Sequence, residues 1–180
     1  MSDDRRIETP LGPVRLRPEH PDDDGFLFAL FSANRIGILR LARIPEDAVA
    51  DLLALQHRSQ TATYRTLYPN AVYSILEHDG VPVGRLIEND ETNEVYFVDI
   101  ALMPDVQRQG LGRAVIAILR DQWAGRGRSA RAKVAVENEA SMRLFRGLGF
   151  TPASTDEHAY LTLRCKRPRH LRERPGTARP

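Results

Sequence analysis

The residues best suited to chemistry lie in one short run, Gln107-Arg108-Gln109-Gly110-Leu111-Gly112-Arg113. It follows an apolar segment, Ile100-Ala101-Leu102-Met103, that Pro104-Asp105 halts. It opens directly onto a stripe of Leu111, Ala114, Val115, Ile118, Leu119 and Gln122/Trp123, spaced three and four apart as on one helix face. Two glycines let backbone approach a ligand closely, and the first N–H groups of a helix have no partners of their own. Those donors and the helix dipole favour an anion, and Arg108 and Arg113 would add charge-assisted contacts to a phosphate. The alternative is a helix that glycines merely cap. Two other phosphate loops do not fit, since a Rossmann fingerprint would need glycine where Val115 stands and a P-loop needs Gly-Lys-Ser/Thr.

Other reactive types are sparse. The five histidines (His20, His57, His78, His158, His170) have no metal-ligand spacing, so no metal is expected, and the single cysteine, Cys165, reads as a strand residue and cannot form an internal disulfide. Charge is uneven: Gln107 to Lys133 holds seven basic residues against one acid, and Lys166 to Pro180 holds six against one, although the whole chain is only +2. The first stretch suggests attraction to a polyanionic small molecule, or is ordinary solvated charge. The second reads as a flexible terminus, with nucleic-acid association the less favoured alternative, so no nucleic acid is expected.

These residues need a scaffold, and 180 residues with 42% hydrophobic and 28% charged side chains predict one globular domain. No apolar run exceeds six residues against about 20 for a membrane span, so no membrane association is expected. The N-terminus lacks an apolar signal core, and a cytoplasmic location is expected. A first strand is predicted over 12–17, then two helices, one behind Asp22-Asp23-Asp24 and one from Pro45 with Ala48, Leu52, Leu55 and Ser59 leading toward Tyr64. Asp79-Gly80 marks a hairpin between Val72–Leu76 and Val81–Ile87, and Glu94–Met103 is a further strand. The glycine-led helix, a strand over 131–136, a helix over 140–148 and two closing strands near 150–155 and 160–164 complete the order. This is an α/β mixed sheet, since three consecutive strands before the first crossover helix argue against a doubly wound one. The boundaries are an extension over 1–11, a domain over 12–166 and a basic tail over 167–180.

Gln107 to Gly112 resembles the Q/R-x-x-G-x-G/A pyrophosphate motif of the GNAT superfamily of acyl-CoA-dependent N-acyltransferases. Asp99-Ile100-Ala101-Leu102 before Pro104 is similar to that family's bulged fourth strand. Val136-Glu137-Asn138-Glu139-Ala140, then Leu144-Phe145 and Gly149-Phe150, resembles its fifth strand, the helix after it and the closing Gly-Phe. The resemblance covers about residues 14 to 165 and implies a mixed sheet of about seven strands, splayed between strands 4 and 5 and flanked by about four helices, with acyl-CoA in the gap. It implies that backbone at Ile100, Ala101 and Leu102 meets pantetheine and the thioester, that Arg108, Gln109, Gly110, Leu111, Gly112 and Arg113 hold pyrophosphate, and that Asn138 contacts the pantetheine arm.

The activity so implied is transfer of acetyl from acetyl-CoA, as co-substrate, to a primary amine of a small molecule or peptide within a ternary complex. An amine of pKa near 10.4 is protonated at neutral pH, so a base is useful. By the resemblance Asp99 is the first candidate, then Tyr96 and Glu94, with a carboxylate simply satisfied near the bulge as the alternative for Asp99. Strand N–H groups around Ile100 to Leu102 would hold the oxyanion. Many relatives place a tyrosine acid seven residues after the Asn, where this chain has Phe145. Either Tyr160 or a water serves instead, or the thiol, of pKa near 8.5, leaves as thiolate. Lys133 stands where some protein-modifying relatives carry a catalytic Glu. The first two helices would face the acceptor, and Gln56, Gln60 and Tyr64, four apart, share a face that either binds it or is solvent-facing. A non-catalytic acyl-CoA-binding or regulatory module is the alternative function, and homodimers are common among such relatives.

Overall fold

The computed structural model describes residues 4–155 and 159–166; the tail over 167–180 lies outside them, as do His158 and His170. The order is β1 (Arg5–Thr9), β2 (Gly12–Pro18), α1 (Asp24–Leu41), α2 (Glu46–Leu67), β3 (Val72–His78), β4 (Val81–Asp90), β5 (Glu94–Leu102), α3 (Leu111–Gly125), β6 (Ser129–Ala135), α4 (Glu139–Gly147), β7 (Thr151–Thr155) and β8 (Tyr160–Cys165). The strands form one sheet in the order β1-β2-β3-β4-β5-β6-β8-β7, antiparallel except for the parallel pair β5 and β6.

There are eight strands in this sheet rather than about seven. The additional one, β1, lies within the stretch read as an extension. It offers the core a single apolar side chain, Ile7, between charged neighbours, so no alternation announces it. Arg5 ties it to the buried carboxylate of Glu88 on β4, which also accepts from the indole N–H of Trp123 on α3 (3.0 Å). The Asp79-Gly80 hairpin forms as the sequence predicts, both residues taking positive φ (51° and 77°).

α1 starts behind a 3-10 turn, Pro21–Asp23, whose last carboxylate does two jobs. Asp23 accepts the His20 N–H (2.8 Å) and two guanidinium bonds from Arg17 on β2 (2.7 Å each), locking the helix start to the sheet. Arg17, then the His20 amide, holds the Asp23 carboxyl below the usual carboxylate range. A depressed folded pKa contributes stability above the unfolded value near 3.9 and loses it as pH falls through the lower folded value. Asp23→Ala is therefore expected to lower stability by about 2 kcal/mol at pH 7, with urea midpoints of the two proteins converging between about pH 4 and pH 2.

On α2, Pro45 occupies the cap rather than the first helical position. Leu53 is the buried residue, packed with Phe31 and Leu39 of α1. Leu55 of the expected stripe is 59% exposed, because the second half of that stripe lines a cleft rather than the core.

Candidate active site

Two features of β5 create the site. Its parallel pairing with β6 lasts only from Glu94 to Phe97, opposite Ser129 to Ala132; thereafter β5 stays with β4 to Leu102 while β6 stays with β8 to Ala135. The strands part, as the resemblance implies, and leave a seam. The register with β4 also slips by one, Ile87 pairing with Asp99 and Glu88 with Phe97, so Val98 is bulged out. The bulge therefore comes immediately before Asp99. An extra residue reverses the alternation of faces, so Tyr96 and Asp99, three apart, both look toward α2, and Phe97, Ile100 and Leu102 pack toward α3 and the main core.

The seam edge can be read from the ladder. The Met103 N–H donates to Val83 O on β4 (2.9 Å), so by antiparallel alternation Ala101 also spends its backbone groups on β4, whereas Ile100 and Leu102 direct theirs into the gap. Side chains meet the Leu102 carbonyl there: Gln107 Nε2 (2.8 Å) and Asn34 Nδ2 from α1 (3.1 Å) both donate to it. Gly84 opposite permits this close pairing, since a Cβ would lie 2.6 Å from Ala101 O.

The glycine turn closes one end of the gap. Arg108 and Gly110 both take positive φ (58° and 85°), Gly110 caps α3, and no side chain caps the helix. Gln109 donates to Asp105 O (2.5 Å) at the surface. Gly112 packs against Ile100, Leu102 and Leu144 of α4, which brings the uncapped helix start to the seam. These N–H donors without a side-chain cap and the exposed Arg108, which has no ion pair among the described residues, suit a phosphate group. Arg113 is committed elsewhere, donating to Gly147 O at the end of α4 (2.9 Å), and Arg143 pairs with Glu139 one turn away (2.9 Å). Asn138 spends Oδ1 capping α4 by accepting the Ser141 N–H (3.0 Å), which leaves its NH2 for a ligand.

The α2 side of the seam holds a residue that sequence reading overlooked. Arg85 of β4, 9% exposed, directs Nε and Nη2 to the same oxygen of Asp99 (3.1 and 2.6 Å) and Nη2 to Gln60 Oε1 (3.3 Å), with the Tyr64 ring 5.6 Å from its guanidinium. An arginine inside Val83-Gly84-Arg85-Leu86-Ile87 was the available signal, since a buried charge needs partners. Asp99, Gln60 and Tyr64 are thus brought together. Burial, then the Asp99 charge, pushes the Tyr64 hydroxyl well above the ordinary phenol range.

The other candidates disperse. Tyr96 is buried against Tyr68, and burial raises its hydroxyl. Glu94 pairs with Arg131 and Arg164 (3.1 Å each). Tyr160 is 41% exposed on β8 beside Lys133 (5.2 Å), close enough for its charge to act on Tyr64. Phe145 is 3% exposed and meets Phe150 edge to face at 5.1 Å, so it is a core residue. Cys165 lies 4.0 Å from Leu148 O, and burial raises its thiol. An open cleft of about 520 Å³ lies between α1 and α2, lined by Phe31, Arg35, Leu55, Gln56, Ser59 and Gln60. His57 beside it packs against Phe28 and Phe31 (5.6 and 5.3 Å), and burial, then Arg85, lowers its pKa. Among the described residues no group of three or more His, Cys, Asp or Glu could hold a metal, and no helix is long and apolar enough to cross a membrane.

A mixed sheet that parts beside an uncapped, glycine-led helix is the architecture of an acyltransferase domain. The chain belongs to the acetyltransferase (GNAT) family, whose model matches residues 41–150. It is 38% identical over 71 residues to the [ribosomal protein bS18]-alanine N-acetyltransferase of Escherichia coli K12, a match spanning 39% of this chain and about half (48%) of that relative. Among solved structures it is similar to the PaiA N-acetyltransferase of Thermoplasma acidophilum in complex with coenzyme A (TM-score 0.65, 12% identity, 85% of this chain and 98% of that one). It is also similar to Mycobacterium smegmatis RimJ in complex with CoA-disulfide (TM-score 0.60, 17% identity, 90% and 86%). These likenesses establish the fold.

Proposed function

We propose that the protein is an N-acetyltransferase that moves an acetyl group from acetyl-CoA directly to a primary amine of a small molecule or peptide. The observation that carries this reading is the seam edge of Ile100 and Leu102 lying beside an uncapped helix start. Arg108 and the N–H groups from Gly110 to Arg113 would hold the phosphates, the Ile100–Leu102 edge would receive the pantetheine arm, and the Asn138 NH2 would assist. The bound group supplies an activated thioester. Acceptor and donor would occupy opposite walls, the α1/α2 cleft and the seam, so both could be bound at once. The only cysteine of the chain is half-buried on β8 beside Leu148 O, which favours direct transfer over a cysteine-bound acyl group.

Asp99 would orient the acceptor nitrogen and receive its proton, directly or through water. Both Arg85 contacts fall on Oδ2 and leave Oδ1 for this role. The Ile100 and Leu102 N–H groups would meet the developing oxyanion. With Phe145 in the core, Tyr160, 41% exposed on β8, is the candidate acid. Tyr160→Phe is expected to lower kcat about tenfold or more, while Phe145→Tyr leaves turnover unchanged. A cytoplasmic setting accords with a single unpaired cysteine.

The test is thermal stabilisation by acetyl-CoA together with thiol release over an amine panel. Stabilisation with release supports the enzyme. The burial of Phe145 gives one ground for the second reading, a non-catalytic acyl-CoA-binding module, and stabilisation without release from any amine would favour it. Absence of both would overturn the assignment of the glycine turn.

A further inference from the structure

Three charged groups meet at the acceptor side. Arg85 and Asp99 neutralise one another at 2.6 Å. Arg35 of α1 lines the cleft with its guanidinium 5.4 Å from the Phe31 ring and has no ion pair among the described residues. Among the described residues no carboxylate lines the cleft, and Asp24, the acid whose field reaches His57, is exposed at the first residue of α1, more than two turns before Arg35. The acceptor side therefore carries a net positive charge. Gln60 lines the same cleft as Arg35 and accepts from Arg85 (3.3 Å), the residue that holds Asp99 (2.6 Å), so the cleft joins the two poles. In the same cleft Gln56 Oε1 is buried with no partner among the described residues and can accept an N–H, and Phe31 and Leu55 offer apolar contact.

We infer that the acceptor is an amine that also carries a carboxylate: its nitrogen meets Asp99, its carboxylate pairs with Arg35, and Gln56 receives an N–H of the same molecule. A diamine or a basic peptide would bring a second cation beside Arg35 and Arg85 and be repelled, whereas an amine with a carboxylate arrives uncharged overall and satisfies both poles. This inference rests on the acetyltransferase reading and narrows it from any primary amine to amino acids and peptides with an acidic residue near the N-terminus. Arg35 is then the residue that sets specificity.

The test uses the full chain with acetyl-CoA and four acceptors: alanyl-glutamate amide, alanyl-glutamine amide, alanyl-lysine amide and free glutamate. The expected result is kcat/KM about tenfold or more higher for an acidic acceptor than for the glutamine amide, with the lysine amide poorest, the difference residing in KM. Preference for the glutamyl amide over free glutamate would identify peptides as the source, and the reverse would identify amino acids. Arg35→Gln should bring the acidic and neutral acceptors within about twofold of each other, and Arg35→Glu should invert the order. Indifference to charge, or preference for the lysine amide, overturns the inference while leaving the enzymatic reading intact. Should no acceptor release thiol, melting with coenzyme A and alanyl-glutamate amide decides: added stability that Arg35→Gln abolishes supports the inference, and none overturns it.

Discussion

Arg85→Met is expected to lower folding stability by about 3–5 kcal/mol, because it leaves the Asp99 carboxylate in a half-buried site without its cation. The loss exceeds that of ordinary surface pairs because the guanidinium is nine-tenths covered and spends three hydrogen bonds on Asp99 and Gln60. Removing both charges at once should be far milder: Arg85→Met with Asp99→Leu is expected to recover most of the loss, because neither partner is then stranded. Urea denaturation of wild type, single and double variants measures the difference. Arg85→Lys separates charge from shape, since an ammonium cannot reproduce the fork that reaches Asp99 and Gln60 together. A single variant as stable as wild type would mean that Asp99 relaxes into water, and the network around Gln60 and Tyr64 would lose its claim to position the carboxylate.

Gly112→Glu is expected to abolish stabilisation by acetyl-CoA, with affinity falling about 100-fold or more, or about 2.7 kcal/mol. The fold should tolerate the change. An acid in the first turn of a helix interacts favourably with the dipole, and a Cβ at Gly112 would make only ordinary contacts, 3.4 Å to Leu102 and 3.8 Å to Ile100. The same carboxylate would occupy and electrostatically repel the position expected for phosphate. Gly112→Ala, which adds the methyl without the charge, should retain binding within about tenfold. Melting curves with and without acetyl-CoA give both readings. If Gly112→Glu were stabilised as strongly as wild type, the phosphates would have to lie away from the helix start, and Arg113 or Arg143 would need to leave Gly147 and Glu139 to reach them.

Much of this site was legible because its signals are local. The tight turn of Gly110 and Gly112, the apolar stripe behind it and the Asp79-Gly80 hairpin depend on residues within a few positions of one another, where backbone freedom and period decide the outcome. The seam could be expected from the resemblance, and its extent follows from the four paired residues of β5 and β6. β1 escaped notice because an edge strand with Ile7 as its one buried side chain leaves no period to detect. Leu55 followed the helical stripe correctly, yet that stripe passes from the core to a cleft wall, a change of surroundings that no periodicity encodes.

By itself, the sequence determined the elements from β2 onward, their order, and where the backbone donors of a glycine-led helix start lie, because each of these is settled by neighbours along the chain. Only the tertiary structure decided which side chains share a site. One bulged residue, Val98, brings Asp99 to the face of Tyr96 and opposite Arg85, fourteen positions away on the neighbouring strand. Packing sends Phe145, at the position where relatives carry a tyrosine, into the core against Phe150, and hydrogen bonding engages Arg113 with Gly147. Partnership between charges is a through-space property. It depends on register, twist and burial, and these exist only once the strands have paired.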